Sequence, residues 1–212
     1  MDKVEGCFSA DGAFGQLCYV VPQHKLVLAV ASRNSKVDTI INSLWSTVLS
    51  ESQDDVNDIS SDLTLLRERI SKMSFPVPEN LPHPMGLTMN GRYKLSENPN
   101  GIEYIELTHS DTMSLSLRMV YKHHNDSEFL FRYDEPVRQR TLFVKDINYH
   151  MQNYVSYACW NDSSKLELSV LLTETPYVIT CSLTFGESKT WFDFDINVSF
   201  TLKSFSSECE IC

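Results

Sequence analysis

Between residues 85 and 206 apolar and polar side chains change places at every second position, and short turn-forming clusters interrupt the alternation at regular intervals. A period of two sends successive side chains to opposite faces of a strand, so such a stretch builds a sheet with one face buried and one wet. Met113, Leu115, Leu117 and Met119 alternate with Ser114, Ser116 and Arg118, and Ile179, Cys181, Leu183 and Phe185 alternate with Val178, Thr180, Ser182 and Thr184. Further strands are predicted at 91–95, 102–107, 128–133, 154–160, 165–172 and 190–198, with a less regular interval at 135–152 containing one over 141–144. Asn98-Pro99-Asn100-Gly101, Ser110-Asp111, Asn161-Asp162-Ser163-Ser164 and Gly186-Glu187-Ser188 supply turn residues between them. About eight short antiparallel strands predict an up-and-down barrel or a sandwich, and closure is favoured because it removes unpaired edges. Residues 207–212 read as a frayed tail, including the Cys209-Glu210-Ile211-Cys212 pair, which has no second cysteine pair to complete a metal site.

The first fifty residues read differently. Phe8 to Gln16 carries two glycines, Gly12 and Gly15, and is followed by the apolar run 17–21, a turn at Pro22-Gln23-His24-Lys25 and a second apolar run 26–31. These runs form a hairpin, and being nearly continuous they predict cover on both faces. Ser35 with Asp38 forms a capping-box-like pair, and Val37, Ile40, Ile41, Leu44, Trp45 and Val48 recur at helical spacing. Trp45, if fully buried, would cost about 3–5 kcal/mol on truncation to alanine.

From 51 to 84 the chain is a connector. Its first part is polar and acidic; Leu63, Leu66 and Ile70 then mark a short helix, with Asp62 near the start and Arg67, Arg69 and Lys72 toward the end. Prolines 76, 78, 82 and 84 exclude helix and place a domain boundary. The expected organisation is therefore a hairpin and helix over 1–50, a helical and proline-rich linker over 51–84, a β-barrel domain over 85–206 and a tail, mainly β and α+β overall.

With 28 acidic against 18 basic residues the formal net charge is -10, which argues against nucleic acid as a partner. No apolar run approaches the length of a membrane span and Met1–Gly6 lacks a signal-like apolar core, so the sequence as written predicts a cytoplasmic protein. Six scattered cysteines read as reduced thiols.

The ordered pattern Gly12-Ala13-Phe14-Gly15, strand, proline-containing turn, strand and amphipathic helix resembles the C-terminal end of bacterial serine hydrolases of the penicillin-recognising type: class C β-lactamases, esterases and D-aminopeptidases. Tyr157-Ala158-Cys159-Trp160, Leu166-Glu167-Leu168 and Glu174-Thr175-Pro176-Tyr177 resemble the lipocalin-like β-domain appended to many of them. The resemblance implies that Phe8, Ser9, Ala10 and Gly12 are the remnant of a strand walling the active site, although the Lys-Thr-Gly-type motif expected near Cys7-Phe8-Ser9 is not matched. Those enzymes use Ser-x-x-Lys and Tyr-x-Asn motifs, and this chain contains neither. Ser32-Arg33-Asn34 and Ser96-Glu97-Asn98 fit Ser-x-Asn by letter but stand after the Gly-x-Phe-Gly segment, not before it. The implied protein is a truncated, non-catalytic C-terminal portion, with no cofactor. Its partner would be the missing N-terminal catalytic half or a second copy, engaged through exposed hairpin edges.

In the β half, Tyr157, Trp160, Trp191, Phe192 and Phe194 are the candidate lining of a barrel ligand site for a lipid or cell-wall fragment, weighed against plain core packing. Glu103, Glu106, Asp193 and Asp195 are explained by alternation as a solvated face. His123-His124 with Asp126 lies in a turn and reads as structural, so no metal site is expected; His83, between two prolines, reads as a solvated loop residue.

Overall fold

The computed structural model describes residues 6–33, 37–47, 59–73, 89–145 and 147–212. Ser35, Val48, the acidic stretch 51–58, the prolines from 76 to 84 and His83 lie outside the described residues. The chain divides into two compact units, Met1–Pro76 and Val77–Cys212.

In the first unit, strands β1 (Phe8–Asp11), β2 (Leu17–Val21) and β3 (Leu26–Val30) form an antiparallel sheet in that order. The chain reverses after β1 through Phe14 and Gly15, at φ 60° and 85°. Gly15 therefore needs glycine, because a Cβ disfavours that region. Gly12 is extended, at φ -103°, but a Cβ there would stand 2.9 Å from Gln16 Cβ. Pro22 opens the single 3₁₀ turn between β2 and β3, and the Lys25 amide closes it on the Pro22 carbonyl at 3.0 Å.

Helix α1 (Val37–Thr47) lies on one face of this sheet. Leu17, Tyr19 and Val21 alternate along β2 and bury with Ile41 and Leu44, while Leu26, Leu28, Val30 and Trp45 are partly buried around them. Trp45 stands at the margin of this small core, so its removal costs less than full burial would imply.

The expected cover on both faces is not observed. The opposite face carries Phe8, Val20 and Val27 in one cross-strand row and Ala10, Cys18 and Ala29 in the next. Phe8 is 62% and Val27 65% exposed. One helix covers one face, and among the described residues nothing covers the other. Helix α2 (Ile59–Ser71) begins three residues before Asp62, and its described side chains are all exposed.

The second unit is an antiparallel barrel of ten strands: β4 (Gly91–Leu95), β5 (Ile102–His109), β6 (Ser114–Tyr121), β7 (Ser127–Arg132), β8 (Val137–Lys145), β9 (Asn148–Trp160), β10 (Lys165–Leu172), β11 (Val178–Phe185), β12 (Thr190–Ile196) and β13 (Phe205–Ile211). The order β7-β6-β5-β4-β13-β12-β11-β10-β9-β8 follows the chain, except that the last strand joins the first. Two expectations are corrected here. The irregular interval 135–152 is regular, forming β8 and the start of β9. The supposed tail is β13, which pairs with β12 from Phe205↔Phe194 to Cys209↔Thr190 and with β4 from Cys209↔Leu95 to Ile211↔Tyr93. Phe205-Ser206-Ser207-Glu208-Cys209-Glu210-Ile211 is too polar to announce a strand. Two neighbours with free edges supply the hydrogen bonds that its composition does not advertise.

Candidate functional site

The inward positions of the barrel are filled. Leu107, Leu117, Met119, Phe129, Leu166, Leu168, Ile179 and Leu183 have almost no exposed surface. Of the five residues expected to line a ligand site, Trp160, Phe192 and Phe194 point inward and are fully buried. Tyr157 and Trp191 do not join them. Tyr157 is opposite Ser169 and Trp191 opposite Thr184, on the outer parity of their strands, and Trp191 is exposed. Adjacent aromatics on one strand cannot line one cavity, because the period of two sends them to opposite faces. Trp160 packs against Phe185 with ring centroids 6.1 Å apart, and Phe194 stacks on Phe205 at 5.7 Å.

Between β7 and β8 the barrel is joined by side chains. Ser127 Oγ donates to the Leu142 carbonyl at 2.7 Å, and Thr141 Oγ1 accepts from the Glu128 amide at 3.3 Å. Tyr154 and Ser156 on β9 reach the same edge: the tyrosine hydroxyl accepts from the Leu130 amide at 2.9 Å, and Ser156 Oγ donates to the Leu130 carbonyl. Gln152, fully buried, donates to the carbonyls of Phe143 and Val144, each at 2.9 Å. Five polar side chains at inward positions thus line this seam, where they pair with backbone groups of β7 and β8. The sequence held a signal for this: Gln152, Tyr154 and Ser156 share the parity of the buried Ala158 and Trp160.

A second polar arrangement begins at Asn90. Asn90 Oδ1 accepts from both the backbone amide and Nδ1 of His109, each at 2.8 Å. An amide donor on the same atom identifies it as oxygen, so Nδ1 carries the imidazole proton. Nε2 shares a hydrogen bond with the Tyr133 hydroxyl at 3.1 Å. Burial pushes the Tyr133 phenol up to about 12. These contacts tie together the residue before β4, the end of β5 and the residue after β7; sequence reasoning missed them because their members are distant in the chain.

The remaining candidates lie on the outer face. Glu106 bridges Arg92 at 3.5 Å and Arg118 at 3.6 Å, and Arg118 also meets Asp126 at 2.6 Å. Glu103 is exposed, Asp193 faces outward, and Asp195 accepts from Ser204 Oγ at 2.6 Å. Asp126 is thus held by an arginine. His124 stacks on Tyr149 at 5.3 Å, so the turn it occupies is braced. Among the described residues no group of three metal-ligating side chains is brought together. Beside this turn an open cleft of about 500 Å³ is lined by Lys94, Leu95, Glu103, Tyr104, Lys122 and His123 among others, a surface of mixed polar and apolar character.

The proposed strand remnant of the first unit is β1, with Phe8, Ser9 and Ala10 on it and Gly12 just beyond. All four are exposed, at an edge of the sheet that has no strand partner among the described residues. Ser9 stands opposite Tyr19, on the face that α1 covers, whereas Phe8 and Ala10 belong to the open face. Of the six cysteines, Cys159, Cys181 and Cys209 are buried; Cys18 and Cys212 are exposed and Cys7 is intermediate. Cys209 is thus a barrel thiol rather than part of a frayed pair.

Filled interior, side-chain seam and antiparallel order define a ten-stranded barrel protein carrying a small separate α/β unit. Comparison with protein-family models and with curated proteins gives no match to either. Among the described residues no helix is long and apolar enough to cross a membrane.

Proposed function

We propose that this chain is the C-terminal portion of a serine hydrolase of the penicillin-recognising type, non-catalytic by itself, whose barrel is an accessory domain of the parent enzyme. The observation that carries the reading is the open face of the first unit. Phe8, Ala10, Cys18, Val20, Val27 and Ala29 form an apolar surface on a sheet whose other face is already covered by α1. A sheet with two apolar faces belongs between two layers. Strands β1 and β3 each have an edge without a strand partner among the described residues. The parent reaction, hydrolysis of an amide, ester or β-lactam, needs a serine activated by a lysine one helical turn away, and the sequence has no Ser-x-x-Lys.

The test is twofold. Purified chain should leave nitrocefin and nitrophenyl esters unhydrolysed, and the reading frame upstream of Met1 should encode Ser-x-x-Lys. Hydrolysis abolished by substituting a serine of this chain would overturn the reading. The alternative, a stand-alone lipocalin-like module for a lipid or cell-wall fragment, is disfavoured by the burial of Trp160, Phe192 and Phe194 among other core side chains.

A further inference from the structure

Helix α2 carries an apolar seam with heptad spacing. Ile59, Leu63, Leu66 and Ile70 follow one another at intervals of four, three and four residues, the 3.5-residue repeat that keeps one stripe facing a partner helix. Leu63 is 43%, Leu66 51% and Ile70 56% exposed. A helix of this length is marginal in water without a packing partner.

The charges say which partner fits. With Leu63 and Ile70 at the a positions and Ile59 and Leu66 at the d positions, Asp62 and Arg69 fall at g and Arg67 at e, flanking the seam. Glu68 and Lys72, away from it, neutralise each other at 2.5 Å within the helix. Asp62, Arg67 and Arg69 form no salt bridge among the described residues. The seam is therefore self-complementary: two parallel copies set Asp62 against Arg67, and two antiparallel copies set Asp62 against Arg69, the two arrangements that bridge coiled-coil flanks.

We propose that α2 pairs with α2 of a second copy of this chain, as a two-helix coiled coil. The reading is independent of the hydrolase origin. Four apolar side chains per copy bury roughly 500–1,000 Å² between them, less than the roughly 1,200–2,000 Å² of a stable interface, so the dimer is weak and concentration-dependent. Sedimentation of the full chain from about 1 to about 300 µM should show monomer passing into dimer. Leu66→Glu should raise the dissociation constant about tenfold or more; as the side chain is exposed, the near-ultraviolet signal of the barrel should not change. Asp62→Arg should weaken the dimer as well, and mixing it with an Arg67→Asp/Arg69→Asp chain should restore association. A monomer at every concentration, or a dimer indifferent to Leu66→Glu, would overturn the proposal. The second result would place the contact on another surface, such as the open sheet face.

Discussion

Removing residues 205–212 should abolish the barrel, although by composition they look dispensable. β13 contributes five cross-strand residue pairs to β12 and three to β4. An antiparallel ladder averages about one backbone hydrogen bond per residue pair, and each is worth about 0.5–1.5 kcal/mol net. The eight pairs therefore account for roughly 4–12 kcal/mol, comparable to the roughly 5–15 kcal/mol that holds a domain of this kind together. The truncation also removes Phe205 from Phe192 and Phe194, with ring centroids 6.1 and 5.7 Å away, and unroofs Leu95 and Tyr93 on β4. Worse, β13 is the link between the four strands β4–β7 and the five strands β8–β12, so its loss leaves only the side-chain seam between the two halves. The expected result is loss of the near-ultraviolet signal from the buried aromatics and of cooperative urea unfolding. The control Cys212→Ser, just beyond the strand, should leave both unchanged. A truncated chain that unfolds cooperatively near the midpoint of the intact one would refute the argument that the barrel is closed through its C-terminus.

The seam and the buried thiols give two further predictions. Tyr154→Phe keeps the ring against Phe129 but strands the Leu130 amide; it should cost about 1–3 kcal/mol in urea unfolding and speed hydrogen exchange at Leu130, whereas unchanged exchange would mean that the tyrosine does not hold the seam. Burial pushes Cys159 up to about 11 and Cys209 up to about 12 from an ordinary 9.0, and burial likewise raises the Tyr133 phenol to about 12. Because the unfolded chain releases these protons first, the folded state binds more of them above about pH 9, and stability must fall as pH rises from there toward 11–12. The urea midpoint of the barrel should be insensitive to these groups below pH 9 and decline above it; a midpoint constant to pH 11 would contradict their burial.

The helices and most of the strands were legible because their information is local. Alternation from Met113 to Met119 names a strand whatever surrounds it, and Leu63, Leu66 and Ile70 name a helix face. β13 was illegible for the opposite reason. Nothing within Phe205–Ile211 distinguishes it from a tail until β12 and β4 present their edges.

The candidate site divides in the same way. Parity along one strand separates Trp191 from Phe192, and this much could have been read from sequence. That Ser127, Thr141, Tyr154 and Ser156 meet at one seam, or that His109 reaches Tyr133, depends on strands far apart in the chain being rolled together. Sequence alone determined where the chain is extended, where it is helical and which face of each element is apolar, because backbone sterics and side-chain periodicity act over a few residues. Closure of ten strands, the filling of the interior and the exposure of one sheet face and one helix seam were decided only in three dimensions, because burial is a property of what lies opposite, and hydrogen-bond partners are found by proximity rather than by order.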